Sequence, residues 1–486
     1  MAAKVCAGWN NPAPGRSLFY MKQRTRLGLA LVVILAAGPR LLWAVVAPAA
    51  GGEPAPAPAL GEFQQLVQTL SPDPGQASAA CAWLGEHWQP AFVAPLLELL
   101  PWAGEQEQAA GIARLINAQT GVDPLTRDDA AWQWLWRAEV VQRPAYASFK
   151  AALYSRIDPR FREYFAPDRP ASIRLDEIRW GGVARDGIPP LRRPKMLRAA
   201  DAGYLADTNI VFGIERNGDA RAYPKRILAW HEMATDTVGG EELCLVYCTL
   251  CGTVIPYRAT ARGVHHELGT SGFLYRSNKL MYDAATKSLW NTLTGEPVVG
   301  PLVGQGIRLE ALPVVTTTWG EWRRRHPQTT VLSLETGHQR DYGEGRAYAR
   351  YFASDELMFT VPETDPALKN KAEILAVRLP GGAPARTVFA ADFLAAHPVH
   401  QAELGGRRLV ILTDGSGANR AYAGGDREFT RWENPQSVRD AAGGLWTVTE
   451  DALRAADGTE LARVPAHRAF WFGWHAAHPD TRLVDE

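Results

Sequence analysis

Two cysteines separated by two residues are the part of this sequence best suited to chemistry. The run Cys248-Thr249-Leu250-Cys251-Gly252 brings two sulfurs within bonding or chelating distance. Gly252 can adopt the positive φ that such a turn requires. Thiol–disulfide exchange uses this geometry, with one thiol attacking and the other resolving. Metal binding also uses it, with the thiols as two of about four ligands. A structural disulfide that braces the turn is a third interpretation.

Histidine is the second residue type that bears on this choice. The sequence contains no second Cys-x-x-Cys, so a metal site for copper or zinc would need histidine ligands beside Cys248 and Cys251. His231 precedes the Gly239-Gly240 turn that leads into the cysteine strand. It is therefore a candidate base or ligand for the thiols, and a purely structural role is the alternative.

Polar residues downstream of the cysteines form a third set of candidates. The stretch 270–283 carries more hydrogen-bonding side chains than a plain strand needs. Ser271 and Asn278 within it are candidates for orienting a substrate beside a thiolate. The alternative is that these residues form turns, in which Asn, Ser and Asp are common.

The elements around the cysteines are predicted to be strands. Residues 243–247 and 253–258 have strand character, and residues 210–214 and 220–223 flank the hairpin dipeptide Asn217-Gly218. A short helix is predicted over 224–234. A thioredoxin motif continues into a helix, so the strand after Gly252 argues against a thioredoxin fold. Cys244 lies about 13 Å before Cys248 along a strand, which indicates a buried core residue.

Composition restricts the class of protein. The 486 residues exceed one ordinary core, so two or three domains are expected. The 52 basic and 52 acidic residues cancel, which argues against a nucleic-acid partner. Five cysteines are too few to form a disulfide scaffold in a chain of this length.

The first 50 residues resemble a targeting segment. Lys22, Arg24 and Arg26 precede two apolar runs and a string of small residues, as in a secretory signal peptide. An uncleaved membrane anchor is the alternative, and Pro39-Arg40 in the middle argues against it. Either interpretation predicts a periplasmic or extracellular location, with the membrane contacted only through this segment. Residues 51–60 are rich in Gly, Pro and Ala and are predicted to be a linker.

Residues 61–165 are predicted to be helical. Apolar residues recur at helical spacing, as at Phe92, Val93, Leu96 and Leu97. Residues 88–97 resemble a HEAT-type repeat, in which paired helices stack and bind or brace a partner. A plain helical domain is the alternative. This segment is the candidate docking site for a protein partner, and a non-enzymatic scaffold is one hypothesis for the chain.

The rest of the chain is predicted to be a duplicated β-rich domain, which makes the overall fold α+β. Module 1 spans 173–335 and module 2, a degenerate copy, spans 370–486. Aligning Gly239-Gly240 with the Gly-Gly at 405–406 places His231 on His397 and Cys248 on Asp414. Each module is predicted to close with a helix, at 319–322 and 471–474, that stops at a His-Pro dipeptide. The second copy has no thiols, so the first is predicted to be the working half.

Several motifs in order resemble one known family. They are Asp186-Gly187-Ile188-Pro189, Tyr223-Pro224, Trp230-His231-Glu232, Asp236-Thr237-Val238-Gly239-Gly240, Tyr247 to Thr253, Met281-Tyr282-Asp283 and Ser288-Leu289-Trp290. Together they resemble domain-of-unknown-function family 3179, whose members are bacterial and archaeal and often exported. The resemblance is strongest over about 173–332. Some members carry selenocysteine in the Cys-x-x-Cys motif, which implies redox use of Cys248 or Cys251.

The leading hypothesis is an exported thiol oxidoreductase. Cys248 and Cys251 are its attacking and resolving thiols, in an order that the sequence leaves open. Ser271, Asn278 and His231 are expected to orient the substrate or tune the thiols. The copper or zinc site and the scaffold with a structural disulfide are the alternatives.

Overall fold

The computed structural model describes residues 58–379 and 384–486, which fall into two compact units. The first contains the chain up to Pro167, and the second runs from Asp168 to Glu486. The predicted targeting segment at 1–50 lies outside the described residues. Most of the predicted linker also lies outside them, and its residues 58–60 belong to the first helix.

The described part of the first unit is helical, as predicted for 61–165. Its helices are α1 (Pro58–Gln68), α2 (Pro74–Glu86), α3 (Val93–Leu99), α4 (Gln106–Thr120), α5 (Asp128–Arg137) and α6 (Ala145–Tyr154). Local signals set their ends. The Asp73 carboxylate accepts the backbone N–H of Gly75, which caps α2. Gly121 ends α4 with a φ of 72°. The HEAT-like character of this unit stays a prediction.

The second unit is mostly strands. In chain order they are β1 (Ile178–Trp180), β2 (Leu191–Arg192), β3 (Met196–Arg198), β4 (Ile210–Arg216), β5 (Asp219–Pro224), β6 (Met233–Val238), β7 (Glu241–Cys248), β8 (Thr253–Arg258), β9 (Thr260–Ala261), β10 (Val264–His265), β11 (Leu268–Tyr275), β12 (Asn278–Asp283), β13 (Leu289–Asn291), β14 (Glu296–Val299), β15 (Val315–Thr318), β16 (Thr330–Leu332), β17 (Glu373–Arg378), β18 (Pro384–Ala390), β19 (Val399–Leu404), β20 (Arg407–Thr413), β21 (Asn419–Ala423), β22 (Phe429–Asn434), β23 (Ser437–Asp440), β24 (Leu445–Val448), β25 (Ala452–Ala455), β26 (Glu460–Val464), β27 (Ala466–Phe470) and β28 (Arg482–Val484).

Short helices connect these strands. They are α7 (Lys225–His231), α8 (Trp319–Arg325), α9 (Ala349–Phe352), α10 (Ala391–Ala396) and α11 (Trp471–Ala477). Helices α8 and α11 end with His326 and His478 as their C-terminal caps, as predicted for the two His-Pro dipeptides. Among the described residues, no helix combines the length and the apolar character needed to cross a membrane.

The strands of the second unit form several sheets. Their orders are β15-β4-β5-β16-β3, β2-β6-β7-β8, β1-β11-β12-β13-β14, β27-β17-β18-β28, β19-β20-β21-β26-β25-β24-β23-β22 and β10-β9. The first and fourth of these share a pairing pattern. In each, three strands pair antiparallel and a fourth joins in parallel, and in the first sheet β3 adds a fifth strand that is antiparallel to β16. The mixed α+β class predicted from the sequence is confirmed.

The segment from β4 to β6 leads into β7, the strand that ends at Cys248. Asn217 and Gly218 form the predicted hairpin turn, with φ of 50° and 81°. The helix predicted over 224–234 is shorter, because Glu232 takes a left-handed conformation that ends α7. Met233 then pairs with Val246 of β7 instead of extending the helix.

Strand β7 separates two hydrophobic clusters because its side chains alternate between the faces of the sheet. Leu243, Leu245 and Tyr247 belong to one cluster, together with residues of β4, β5 and α7. Cys244 and Val246 point into the other, beside residues of β11 and β12. Cys244 is thus a buried core residue, and its burial raises the pKa of its thiol to about 12.

Candidate functional site: the thiol pair

Cys248 and Cys251, together called the thiol pair, occupy a tight turn between β7 and β8. Cys248 is the last residue of β7 and lies opposite Thr253, the first residue of β8. The backbone N–H of Cys251 donates to the carbonyl of Cys248 at 3.2 Å. Gly252 closes the turn with a φ of 60°. The described cysteines, including this pair, are all free thiols.

A second turn, between β11 and β12, supplies the groups that contact the two sulfurs. The backbone N–H of Lys279 donates to Cys248 Sγ at 3.4 Å. The Cys251 thiol donates to the carbonyl of Ser277 at 3.2 Å. Arg276 and Ser277 both have positive φ, 47° and 65°, so this turn is as tight as the one it faces.

The two thiols differ in their electrostatic state. The pKa of Cys248 is lowered, first by the neighbouring Cys251 thiol and further by backbone N–H groups, including that of Lys279. Burial and the Glu232 carboxylate oppose this shift. The pKa of Cys251 lies well above its ordinary value, first because of burial and then because a Cys248 thiolate beside it disfavours a second negative charge. The arrangement therefore favours a Cys248 thiolate beside a protonated Cys251.

A buried ion pair lies next to the thiol pair. Lys279 Nζ donates to the backbone carbonyl of Glu232 at 3.0 Å and lies 3.5 Å from the Glu232 carboxylate. The two side chains are only 4% and 9% exposed. Burial lowers the pKa of Lys279 and raises that of Glu232, so each charged form is disfavoured relative to water.

The thiol pair is closed off from solvent. Cys248 is 1% exposed and Cys251 is 0% exposed. Residues 348–361, called the cover, contribute Tyr351 and several other apolar side chains to the cluster around the sulfurs. The Tyr351 hydroxyl donates to the carbonyl of Leu250 inside the thiol turn at 2.7 Å.

Residues near the C-terminus complete this enclosure. The backbone N–H of Phe470 donates to the carbonyl of Cys251 at 2.7 Å. Gly473 of α11 packs so closely that a Cβ there would lie 2.9 Å from Cys251 Sγ. The Asn278 side-chain amide donates to the Gly473 carbonyl at 3.0 Å, which ties α11 to the turn that contacts the sulfurs.

Of the predicted site residues other than the cysteines, Asn278 lies next to the residues that contact the thiol pair, whereas Ser271 and His231 bind other groups. Asn278 lies beside Lys279, in the turn that faces the thiol pair. Ser271 is fully buried in β11, where its hydroxyl donates to the Leu280 carbonyl at 2.6 Å and accepts from the Phe273 N–H. Ser271 therefore holds the backbone of β11 and β12 instead of presenting its hydroxyl to a sulfur.

His231 uses both ring nitrogens elsewhere. Nδ1 lies 2.8 Å from the carbonyl of Pro189, and Nε2 lies 2.5 Å from the Tyr342 hydroxyl. Burial lowers the pKa of His231 to about 4, so the ring is neutral at physiological pH. Within the described residues, no group of three or more His, Cys, Asp and Glu side chains is arranged to hold a metal ion.

Lys279, Tyr351 and Gly473 are residues around the thiol pair that the sequence did not single out. The sequence held a weak signal for Lys279, because it directly precedes the apolar residues Leu280 and Met281, and a lysine buried in a strand requires a partner. The sequence held no comparable signal for Tyr351 and Gly473, since they reach the thiol pair only through tertiary contacts.

The fold and the site together define an α+β protein with a buried pair of thiols at the end of a strand. A family model described as "Protein of unknown function (DUF3179)" matches residues 185–481. The chain belongs to this family, in agreement with the resemblance of its motifs. Searches of curated proteins and of solved structures found no match to the chain.

Proposed function

We propose that the protein exchanges thiols and disulfides at the thiol pair, with Cys248 as the attacking thiol and Cys251 as the resolving thiol. One observation carries this proposal, the asymmetry of hydrogen bonding at the two sulfurs. Cys248 Sγ accepts a hydrogen bond from the Lys279 N–H, whereas Cys251 Sγ donates one to the Ser277 carbonyl. The thiolate is the nucleophile in this chemistry, so the sulfur that accepts is the one prepared to attack.

The reaction balances without a cofactor. The Cys248 thiolate attacks a substrate disulfide, which forms a mixed disulfide and releases one substrate thiolate. Cys251 then loses its proton and attacks Cys248 Sγ, which releases the second substrate thiolate. Two electrons pass from the thiol pair to the substrate, and the protein is left with a Cys248–Cys251 disulfide. The reverse sequence oxidises a substrate dithiol.

For this function, a substrate disulfide must be able to reach Cys248. Both sulfurs are covered, so a substrate disulfide reaches Cys248 only when the cover or the α11 end moves. The tie between Tyr351 and the Leu250 carbonyl belongs to the same turn as the cysteines. Opening the cover and freeing the turn are therefore expected to occur together.

The test is a redox titration of the full-length protein in glutathione buffers. We expect a Cys248–Cys251 disulfide to form and break reversibly, at a potential between about −300 and −120 mV, as in other exchanging dithiols. Peptide mass spectrometry identifies the linked residues, and Cys81→Ser is the matched control. A pair that stays reduced, or stays oxidised, throughout this range would overturn the proposal.

We propose in addition that modules 1 and 2 arose by duplication and that only the first kept the thiols. The shared pairing of β15-β4-β5-β16 and β27-β17-β18-β28 supports this. So does Asp414, which follows β20 where Cys248 ends β7, and which pairs with Arg420. A periplasmic or extracellular location, and a partner docked on a HEAT-like helical unit, are further proposals that rest on the sequence.

A further inference from the structure

We propose that the buried Glu232–Lys279 pair acts as the proton relay of the thiol pair. In this role Lys279 holds the Cys248 thiolate and Glu232 receives the proton of Cys251. The inference rests on the proposed function, and it assigns a role to two residues that thiol exchange alone does not require.

The position of Lys279 carries the inference. Its backbone N–H contacts Cys248 Sγ, while its ammonium contacts Glu232. One residue therefore touches both a reactive sulfur and a buried carboxylate. Its ammonium also interacts electrostatically with Cys248 and with Cys244. All six residues of β12 are buried, so water does not screen these interactions.

The contacts of its own backbone and side chain fix the position of Glu232. It ends α7 in a left-handed conformation, with a φ of 55°, and its carbonyl also accepts the backbone N–H of Tyr247. Burial raises the pKa of its carboxyl group, and Lys279, together with Tyr348 at the start of the cover, acts against that shift. The charge of Glu232 acts on both Cys248 and Cys251.

Ion pairs buried this deeply are weak evidence for a stabilising role. Removing two charges from water costs several kcal/mol per ion, and apolar residues of similar volume often serve stability as well or better. Because this pair lies beside two thiols that must exchange protons, a role in that exchange explains its position.

The titratable groups that face the pair come from three parts of the chain. Cys244, Tyr247, Cys248 and Cys251 come from β7 and its turn, and Tyr348 comes from the cover. Tyr351 of the cover faces the thiol pair, and Arg192 of β2 acts on Cys244. Burial raises the pKa of Tyr247 and Tyr351, so both hydroxyls stay protonated at neutral pH. Glu232 is the carboxylate whose charge acts on both Cys248 and Cys251, while Glu373 acts on Tyr247 and Asp355 acts on Tyr351.

The relay operates at the resolving step. After Cys248 has formed the mixed disulfide, Cys251 transfers its proton to the Glu232 carboxylate and attacks Cys248 Sγ. The S–S bond to the substrate breaks, and its electron pair leaves with the substrate thiolate. Lys279 balances the charge that passes between the sulfurs and the carboxylate, and the proton returns to solvent when the cover opens.

The test compares Lys279→Met with Glu232→Gln in the full-length protein. Thiolate absorbance at 240 nm, measured against pH and corrected with the matching Cys248→Ser protein, reports the apparent pKa of Cys248. We expect Lys279→Met to raise this pKa, with about a tenfold loss of thiolate at neutral pH for each pKa unit. We expect Glu232→Gln to lower it, because a repelling charge is removed.

The resolving step supplies the second measurement. With oxidised glutathione as the probe, Glu232→Gln is expected to accumulate the mixed disulfide on Cys248, because Cys251 has lost its proton acceptor. Glu321→Gln is the matched control, since Glu321 is a buried carboxylate on α8. It should change neither readout.

A merely structural role of the pair would not shift the pKa of Cys248 in opposite directions in Lys279→Met and Glu232→Gln. If both variants move the pKa of Cys248 in one direction, or leave it unchanged, the relay is overturned. The proposed function fails separately, when Cys248→Ser and Cys251→Ser keep the redox cycle. If the cysteine variants abolish the cycle and the pair variants do not affect it, thiol exchange stands without the relay.

Discussion

Gly473 shows how one residue near the C-terminus shapes the thiol pair. A side chain at this position would begin 2.9 Å from both Cβ and Sγ of Cys251, closer than real Cβ atoms approach other atoms. The absence of a side chain therefore lets α11 pack against the turn, and Asn278 fixes the contact through the Gly473 carbonyl. Residues from the middle of the chain and from the region near its C-terminus thus set the environment of one sulfur.

We expect Gly473→Ala to destabilise the protein by about 1–3 kcal/mol, because overpacking a closed site forces its neighbours to shift. Chemical denaturation of the full chain measures the free energy of unfolding. Gly415→Ala is the matched control, since a Cβ at Gly415 meets nothing within 4 Å. Equal stability of the two variants would show that α11 does not press on Cys251.

His231 is the residue whose role the sequence left undecided, and its burial gives a test of a structural role. Its pKa falls from the ordinary 6.5 to about 4 in the fold. The unfolded chain therefore binds the proton more readily between these pH values. Stability that is complete above pH 6.5 is lost as the pH falls toward 4.

For His231→Gln we expect a smaller loss of unfolding free energy between pH 7 and pH 5 than in the parent protein. The difference should be about 2 kcal/mol, since one pKa unit corresponds to about 1.4 kcal/mol. Denaturant titrations at the two pH values measure it. The exposed His397 is the control, and His397→Gln should keep the parental pH dependence. Parental behaviour of His231→Gln would contradict the structural role.

At the scale of elements, the cover packs over the thiol pair, and we expect it to control access to Cys248. Tyr351 lies on α9, and its hydroxyl reaches the carbonyl of Leu250 between the two cysteines. The Lys371 ammonium lies 3.5 Å from the centre of the Tyr351 ring, which adds a cation–π contact. These two contacts hold α9 against the thiol turn.

We expect Tyr351→Ala to increase the rate at which native Cys248 reacts with a small aromatic disulfide, by about tenfold or more. Such an increase corresponds to about 1.4 kcal/mol or more of lost closing energy. Met358→Ala changes an exposed residue of the same cover and should leave the rate unaltered. If Tyr351→Ala reacts at the parental rate, the cover does not control access.

The helical unit contains its own buried ion pair, between α3 and α6. Lys150 and Glu98 have fully buried side chains, and the Glu98 carboxylate also accepts the Tyr146 hydroxyl at 2.9 Å. Lys150→Met leaves the carboxylate buried without its counter-charge, and we expect a loss of about 3–5 kcal/mol. Chemical denaturation followed by tryptophan fluorescence measures this.

Two comparisons make the Lys150 result specific. Arg114→Met breaks an exposed pair with Glu107 and should cost less than about 1 kcal/mol. Adding Glu98→Gln to Lys150→Met should restore part of the lost stability. A harmless Lys150→Met would mean that the pair is not buried as described.

Local patterns in the sequence predicted individual elements well. The Asn217-Gly218 hairpin, the strand at 253–258 and the helix that starts at Trp319 all occur where the sequence placed them. These features depend on residues close together in the chain, namely alternation, turn dipeptides and helix stops. The helix predicted to reach residue 234 was too long, because pairing of Met233 with β7 overrides local helical preference.

On the scale of the whole molecule, the thiol pair lies where distant parts of the chain meet. Cys248 and Cys251 come from the middle of the sequence, Tyr351 follows about a hundred residues later, and Gly473 lies near the end. The sequence identified the cysteines because their spacing is local. It did not identify their burial or the residues that cover them, because these depend on packing between distant segments.

The central claim is that Cys248 attacks and Cys251 resolves. The most direct measurement is to trap the mixed disulfide with oxidised glutathione in single cysteine variants and to locate it by peptide mass spectrometry, with Cys81→Ser as the control. The account predicts that Cys251→Ser accumulates glutathione on Cys248, whereas Cys248→Ser forms no adduct on Cys251 on the same timescale. An adduct that forms faster on Cys251, or on neither residue, would contradict it.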